Sequence, residues 1–119
     1  MARARPPADI SPSDFFLRWV PEAVAQDVER QQKLAETQAT VVFDLGGTGG
    51  GRYTVRIEKG RVEGREGAAE DPDLHVHLDV ATWRCLNRGE TSAPEAALKG
   101  EIRFEGSFLL GLKLHLILG

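Results

Sequence analysis

Apolar and polar residues alternate along five stretches of the chain, which is the pattern of β-strands with one buried face. In the first stretch, Val41, Phe43 and Leu45 alternate with Thr40, Val42 and Asp44. The alternation occurs at residues 40–45, 52–58, 61–65, 73–79 and 101–105. A sheet that is apolar on one face only is usually largely antiparallel, and it needs cover on that face.

Segments with helical spacing can supply this cover, and they are predicted at residues 11–20, 22–36, 80–88, 93–98 and 107–118. Ser11 followed by Pro12 is a typical helix start, and Pro21 ends or kinks the first helix. The last segment also alternates like a strand. Ser107, as a possible N-cap, favours a helix there.

The order of these elements predicts an α+β fold, with a five-stranded, largely antiparallel sheet covered on one face by helices. A length of 119 residues fits one domain. Such a chain buries roughly two-thirds of the surface that it exposes when unfolded. We expect a flexible segment at residues 1–10 and a single domain at residues 11–119.

Charge and cysteine content narrow the class of protein. The net charge is -3 and no segment is strongly basic, which argues against nucleic acid as a partner. Cys85 is the only cysteine, so an intramolecular disulfide and a multi-cysteine metal cluster are excluded. No secretory signal or membrane-spanning segment is recognisable, and we expect a cytoplasmic protein.

Few residues offer catalytic or metal chemistry. The glycine-rich run at residues 46–51 precedes a strand rather than a helix, so it predicts a hairpin loop and not a phosphate site. His75 and His77 point to the same side of one strand, with Asp79 further along it, but the sequence shows no other clustered ligand. We therefore expect no metal, no cofactor, no catalytic residues and no enzymatic activity.

The C-terminal segment is more apolar than a covering helix needs to be. Its last twelve residues hold one Phe, one Ile and six Leu. Phe108, Leu112 and Leu116 form one helical stripe, whereas Leu114 and Leu118 lie off it. The second apolar face requires cover from another helix, a second subunit or an apolar ligand.

An ordered set of short motifs resembles the sterol carrier protein-2 (SCP2) domain family, in its bacterial stand-alone form. The motifs lie at residues 39–46, 51–60, 72–76, 86–90 and 96–106. The resemblance implies an SCP2-like α+β fold, a hydrophobic tunnel for fatty acids, acyl-CoA, sterols or similar lipids, and no catalytic residue or cofactor.

We therefore expect a non-catalytic lipid-binding or lipid-transfer protein that contacts membranes transiently. The alternatives are an accessory protein of isoprenoid-quinone synthesis and a homodimerisation module. The side chains predicted to line the lipid site are Trp83, Leu86, Ile102, Phe104, Phe108, Leu109, Leu112 and Leu116.

Overall fold

A five-stranded sheet organises the computed structural model, which describes residues 5–118. The strands are β1 (Ala39–Gly46), β2 (Gly51–Glu58), β3 (Arg61–Glu66), β4 (Leu74–Asp79) and β5 (Ile102–Gly106). They lie in the order β3-β2-β1-β4-β5. The β1–β4 pair is parallel and the other three pairs are antiparallel. This arrangement confirms the predicted α+β fold and its largely antiparallel sheet.

The helices follow the predicted distribution along the chain. They are α1 (Pro12–Asp14), a π-helical segment (Phe15–Trp19), α2 (Val20–Ala25), α3 (Val28–Leu34), α4 (Val80–Arg88), α5 (Ala93–Leu98), α6 (Phe108–Leu112) and α7 (His115–Leu118). Residues 15–25 pack over β2 and β3, α4 packs on β4 and β1, and α5 packs on β5. Within residues 5–118, no helix has the length and apolar run that a bilayer crossing requires.

The connection from β3 to β4 crosses the other face of the sheet, because β2 and β1 lie between these strands. The Thr54 hydroxyl donates to the carbonyl of Gly67 at 2.7 Å and accepts from the amide of Ala69 at 3.0 Å. Thr54 and its cross-strand partner Val42 are consequently buried. Simple alternation predicts that this face is exposed to solvent throughout, but the part around Thr54 is buried.

The N-terminal helical region differs from the prediction in where it breaks. Pro21 lies inside α2 and does not end the helix; it follows the π-helical segment, in which both Phe15 and Phe16 point into the core. Because Pro21 has no N–H, the Leu17 carbonyl lacks its usual helical donor, which is consistent with a wider turn here. The predicted helix at residues 22–36 is instead interrupted before α3. There the Asp27 carboxylate accepts from the Arg30 amide at 3.2 Å and caps the new helix.

The C-terminal segment is helical, as predicted, but it is not one continuous helix. Ser107 caps α6 by accepting from the Leu110 amide at 3.3 Å, and a turn then separates α6 from α7. The turn changes which side chains are buried, since it rotates α7 relative to the stripe expected of a single helix. The buried ones in this segment are Leu114, Leu116, Ile117 and Leu118.

The predicted flexible segment at residues 1–10 extends beyond the described residues, because residues 1–4, like Gly119, lie outside them. In the described part, Nη1 of Arg84 donates to the carbonyl of Ala8 at 3.2 Å and to that of Ile10 at 2.7 Å. Ile10 also packs against the core. The flexibility of residues 1–10 and the domain boundary at residue 11 stay predictions.

The core is built around the ring of Phe16. This ring stacks on Tyr53 with centroids 5.0 Å apart and packs against Phe43 at 4.9 Å. The helix can approach β3 this closely because Gly64 has no side chain, and a Cβ there would collide with the Phe16 carbonyl. Gly64 therefore sets the distance between the helix and the sheet.

We expect Gly64→Ala to lower the free energy of unfolding by about 1–3 kcal/mol, the usual cost of overpacking a well-packed contact. Urea unfolding followed by circular dichroism measures this change. Gly111→Ala is the control, because nothing lies within 4 Å of a Cβ at that position. Equal stability of the two variants would contradict the role given to Gly64.

Candidate functional site

An apolar groove of about 630 Å³ lies between α5, β5 and α6. Its volume falls within the range of about 300–1,000 Å³ that is usual for small-molecule sites. The lining residues are Ala93, Pro94, Ala97, Leu98, Phe104, Gly106, Ser107, Phe108, Gly111, Leu112 and His115. Most of these side chains are aliphatic or aromatic, so the groove suits an apolar ligand.

Two capped helix starts and one tight contact shape the groove. The Ser92 hydroxyl accepts from the Glu95 amide at 3.3 Å and fixes the start of α5, as Ser107 does for α6. Gly106 has a φ of 120°, and a Cβ there would collide with the Asp73 carbonyl. That carbonyl also accepts from the Ser107 amide at 2.8 Å. The turn from β5 into α6 is therefore held against the start of β4.

The groove is open to solvent, and its walls expose much apolar surface. Leu98 is 90% exposed, Phe108 is 78% exposed and Leu112 is 59% exposed. Its polar side chains, Ser107 and His115, come from either end of the α6 region. Exposed apolar side chains that cluster around a concavity are typical of ligand-binding or interaction surfaces.

The structure brings together three of the eight side chains predicted to line a lipid site. Phe104, Phe108 and Leu112 line the groove. Trp83, Leu86, Ile102 and Leu116 are buried in the hydrophobic core and do not line it. Leu109 is 71% exposed on α6, outside the lining of the groove.

Leu98 and Pro94 on α5 line the groove but were missed by the sequence analysis. Leu98 follows Pro94 by four residues, so both side chains lie on one face of the helix. The sequence does show a leucine four positions after a proline in a short, alanine-rich helix. This spacing indicates that the two side chains share a helix face, but not that β5 and α6 pack beside that face.

Cys85 has surroundings that disfavour its reactive form. The hydrogen bond to the Glu90 carboxylate, and then burial, raise the pKa of the Cys85 thiol above its usual value. The thiolate is the nucleophilic form of cysteine, and a raised pKa reduces its share at neutral pH. These surroundings therefore disfavour a nucleophilic role for Cys85.

The histidine pair has neighbours that the sequence did not reveal. Oδ2 of Asp44 on β1 lies 3.8 Å from Nε2 of His75 and 3.9 Å from Nδ1 of His77. Glu105 on β5 places Oε1 3.1 Å from Nε2 of His77. The expectation that no further ligand clusters with these histidines was therefore wrong, because parallel pairing with β1 supplies Asp44.

Comparison with known proteins identifies a family whose model matches most of the chain. Residues 20–119 match the model of the SCP-2 sterol transfer family. No curated protein sequence matches the chain. Several solved structures share its fold.

A double mutant of the sec-alkyl sulfatase PisA1, an enzyme from Pseudomonas sp., superposes with a TM-score of 0.71 at 18% identity over 92% of this chain. The chain spans only 17% of that enzyme's length. Palmitated SCP2L2 from Aedes aegypti has a TM-score of 0.73 and 16% identity, over 92% of this chain and 95% of its own. UbiJ-SCP2, a ubiquinone synthesis protein, has a TM-score of 0.57 and 14% identity, over 89% and 84%.

We expect Leu112→Ala to change the free energy of unfolding by no more than about 0.5 kcal/mol, since Leu112 is exposed. The same variant should weaken binding of a fluorescent fatty acid, by about fourfold for each ligand methylene that loses its cover. Urea unfolding and a fluorescence titration of the folded protein measure the two effects.

Leu116→Ala is the matched control for Leu112→Ala, because Leu116 is buried only four residues away. It should cost about 2–5 kcal/mol of stability, as core leucines do. Its fatty-acid affinity, measured where the variant is folded, should stay close to wild type. A large stability loss in Leu112→Ala with unchanged affinity would remove Leu112 from the binding surface.

We expect Cys85 to react with iodoacetamide more slowly than a free thiol at neutral pH, because the raised pKa lowers the thiolate share. Glu90→Gln should shift the pH profile of alkylation downward, since it removes the main cause of the raised pKa. Arg88→Gln should shift it upward, since the Arg88 charge favours the thiolate. Identical profiles for all three proteins would contradict this account.

Proposed function

The chain belongs to the SCP-2 sterol transfer family, and on that premise we propose that it is a non-catalytic carrier that binds a lipid in the groove beside β5. The ligand class is a fatty acid, an acyl-CoA, a sterol or a similar lipid. The observation that carries the proposal is the groove itself, where Leu98, Phe108 and Leu112 expose their side chains around a concave surface.

Binding by partition explains how such a groove works without a catalytic group. Each methylene that leaves water contributes about 0.8 kcal/mol, so an acyl chain gains affinity along its length. The polar end of the ligand stays near the rim, where Ser107 and His115 offer hydrogen-bonding groups. A surface of this kind selects for apolar length and girth more than for a particular head group.

Exchange with a membrane follows from the same exposed side chains. Phe108, Leu109 and Leu112 lie on α6, and each is more than half exposed. Side chains of this type enter the boundary between head groups and acyl chains when an apolar helix face meets a bilayer. We infer that α6 makes the transient membrane contact through which a lipid enters or leaves.

One of the similar structures supports a carrier function, and the polar residues of the groove support no catalysis. SCP2L2 from Aedes aegypti is described as palmitated, which supports a fatty acid as one ligand of this fold. The sec-alkyl sulfatase shows that the fold also occurs as a small part of an enzyme. In the groove of this chain, however, Ser107 and His115 are the polar side chains, and the Ser107 hydroxyl caps α6. We therefore propose no catalytic step.

A second candidate function is support of isoprenoid-quinone synthesis. The observation that favours it is the structural similarity to UbiJ-SCP2, which is described as a ubiquinone synthesis protein. A prenyl tail is apolar and extended, so a groove that accommodates acyl chains also accommodates such a tail. The two candidates differ only in the lipid that the protein carries.

Lipid extraction from freshly purified protein, after native mass spectrometry, tests these proposals. A bound species that extracts as a fatty acid, acyl-CoA or sterol supports the first candidate, and a prenylated quinone or its precursor supports the second. If the apolar surface is instead covered by a second copy, light scattering will show a dimer and the extract will contain no lipid. That result would overturn the carrier function.

Gly111 offers a direct way to block the groove. We expect Gly111→Leu to abolish binding of a fluorescent fatty acid, because the new side chain occupies the groove and meets no neighbour within 4 Å at its Cβ. Gly111→Ala is the control. It should bind normally and be about 0.4–1 kcal/mol more stable, as expected where alanine replaces glycine without strain. Normal binding by a folded Gly111→Leu protein would place the lipid elsewhere.

A further inference from the structure

Asp44, His75 and His77 form a compact cluster on the face of the sheet opposite the groove. Phe104 and Val76 pair on the covered face, whereas the two histidines alternate with Val76 and point to the other side. One ligand atom from each of the three residues lies within 4.8 Å of the others. The cluster is therefore independent of the lipid groove.

The ligand atoms are close to the separation that a metal ion requires. In tetrahedral coordination with bonds of 2.0–2.1 Å, donor atoms stand about 3.4 Å apart. The Asp44 carboxylate oxygen lies 3.8 Å from Nε2 of His75 and 3.9 Å from Nδ1 of His77. The two rings stack with centroids 4.1 Å apart and planes inclined by 25°, so both imidazoles must rotate about their Cβ–Cγ bonds to direct one nitrogen each at a common ion.

Nitrogen atoms of the two histidine rings are buried without hydrogen-bond partners within residues 5–118. Among the described residues, Nε2 of His75 is shielded from solvent and makes no hydrogen bond. Shielded polar atoms normally have a partner, and an ion that the structure does not contain is one explanation for such an exception. Nε2 of His77 is likewise shielded and makes no hydrogen bond, although Oε1 of Glu105 lies 3.1 Å away, and Nδ1 of His77 lies 3.9 Å from Oδ2 of Asp44. A carboxylate beside the outer nitrogen of a ligating histidine orients the ring and raises its basicity.

A polar hollow provides access to the cluster. It has a volume of about 560 Å³, and Asp44 and His77 line it together with Asp79 and Glu101. An ion can therefore reach the cluster from solvent, and its remaining coordination positions can hold water or a small anion.

From these contacts we propose that Asp44, His75 and His77 bind a divalent transition-metal ion of the Zn²⁺ or Cu²⁺ type, with Glu105 positioning His77. Two imidazoles and one carboxylate suit these ions better than Mg²⁺ or Ca²⁺, which take mainly oxygen ligands. The ion links β1 to β4, since Asp44 and the histidines belong to these paired strands. Binding should therefore stabilise the fold.

Arg52 would compete with a bound metal ion for the Asp44 carboxylate, so its replacement tests the proposed site. Its Nε lies 3.2 Å from the same Asp44 oxygen that would ligate the ion, so the guanidinium competes for that oxygen. The Arg52 side chain is 64% exposed, and exposed ion pairs are weak. The ion can therefore displace it, and removal of the arginine should favour the ion.

The experiment is a calorimetric titration of chelator-treated protein with Zn²⁺ alone. We expect a single Zn²⁺ to bind. His75→Gln, His77→Gln and Asp44→Asn should each weaken binding by about 10-fold or more. Glu105→Gln should weaken it by a smaller factor, because the Glu105 side chain is 71% exposed. Arg52→Gln should strengthen it. His115→Gln is the control, because this third histidine lines the groove instead, and its Zn²⁺ affinity should equal that of wild type.

A second measurement keeps the test decisive if a variant folds poorly. In the wild-type protein, Zn²⁺ should shift the ring-proton NMR signals of His75 and His77 together and leave those of His115 unchanged. The thermal midpoint should rise with Zn²⁺ concentration, since a ligand of the folded state stabilises it. The proposal is overturned by absence of binding up to about 1 mM free Zn²⁺. Equal affinity in the His75 and His77 variants, or loss of binding in His115→Gln, overturns it as well.

Discussion

The burial of one face of the sheet is the constraint on which the rest of the structure depends. Phe43, Tyr53 and their neighbours form a continuous apolar surface, and the ring of Phe16 covers its centre. The π-helical segment turns two consecutive phenylalanines inward, and Gly64 lets their backbone approach β3. Apolar area buried in this way supplies most of the stability of a small domain, because few other interactions contribute as much.

The same constraint explains where the groove lies. The cover over β1, β2 and β4 is complete, but β5 is an edge strand flanked by the short helices α5 and α6. Phe104 lies on the covered face of this strand and is still 39% exposed. The proposed binding surface is thus the part of the apolar face that the chain's own helices leave open. A ligand bound there would cover the apolar side chains beside β5 that the helices leave exposed.

The two faces of the sheet support different chemistry. On the covered side, aliphatic and aromatic walls suit partition of a lipid. On the other side, charged residues of β1 and β5 lie beside the histidines, and the crossing connection buries only a small area around Thr54. Because adjacent residues of a strand point to opposite faces, a change on one face leaves the contacts of the other largely intact. The proposed lipid groove and the proposed metal site can therefore coexist without shared side chains.

Local patterns in the chain were enough to predict the five strands, the fold class and the family resemblance. Alternation marks each strand, and capping residues mark some helix starts, such as those of α1 and α6; both signals are local. Phe108 and Leu112 were predictable as exposed or lining residues because the tail carries more apolar side chains than cover requires. The tertiary structure alone decided that Trp83 and Leu116 belong to the core, that Leu98 joins the groove and that Asp44 meets the histidines. The burial of Leu116 depends on the turn between α6 and α7, and the position of Asp44 beside the histidines depends on the parallel pairing of β1 with β4. Contacts between distant segments follow from topology and packing, which local spacing does not encode.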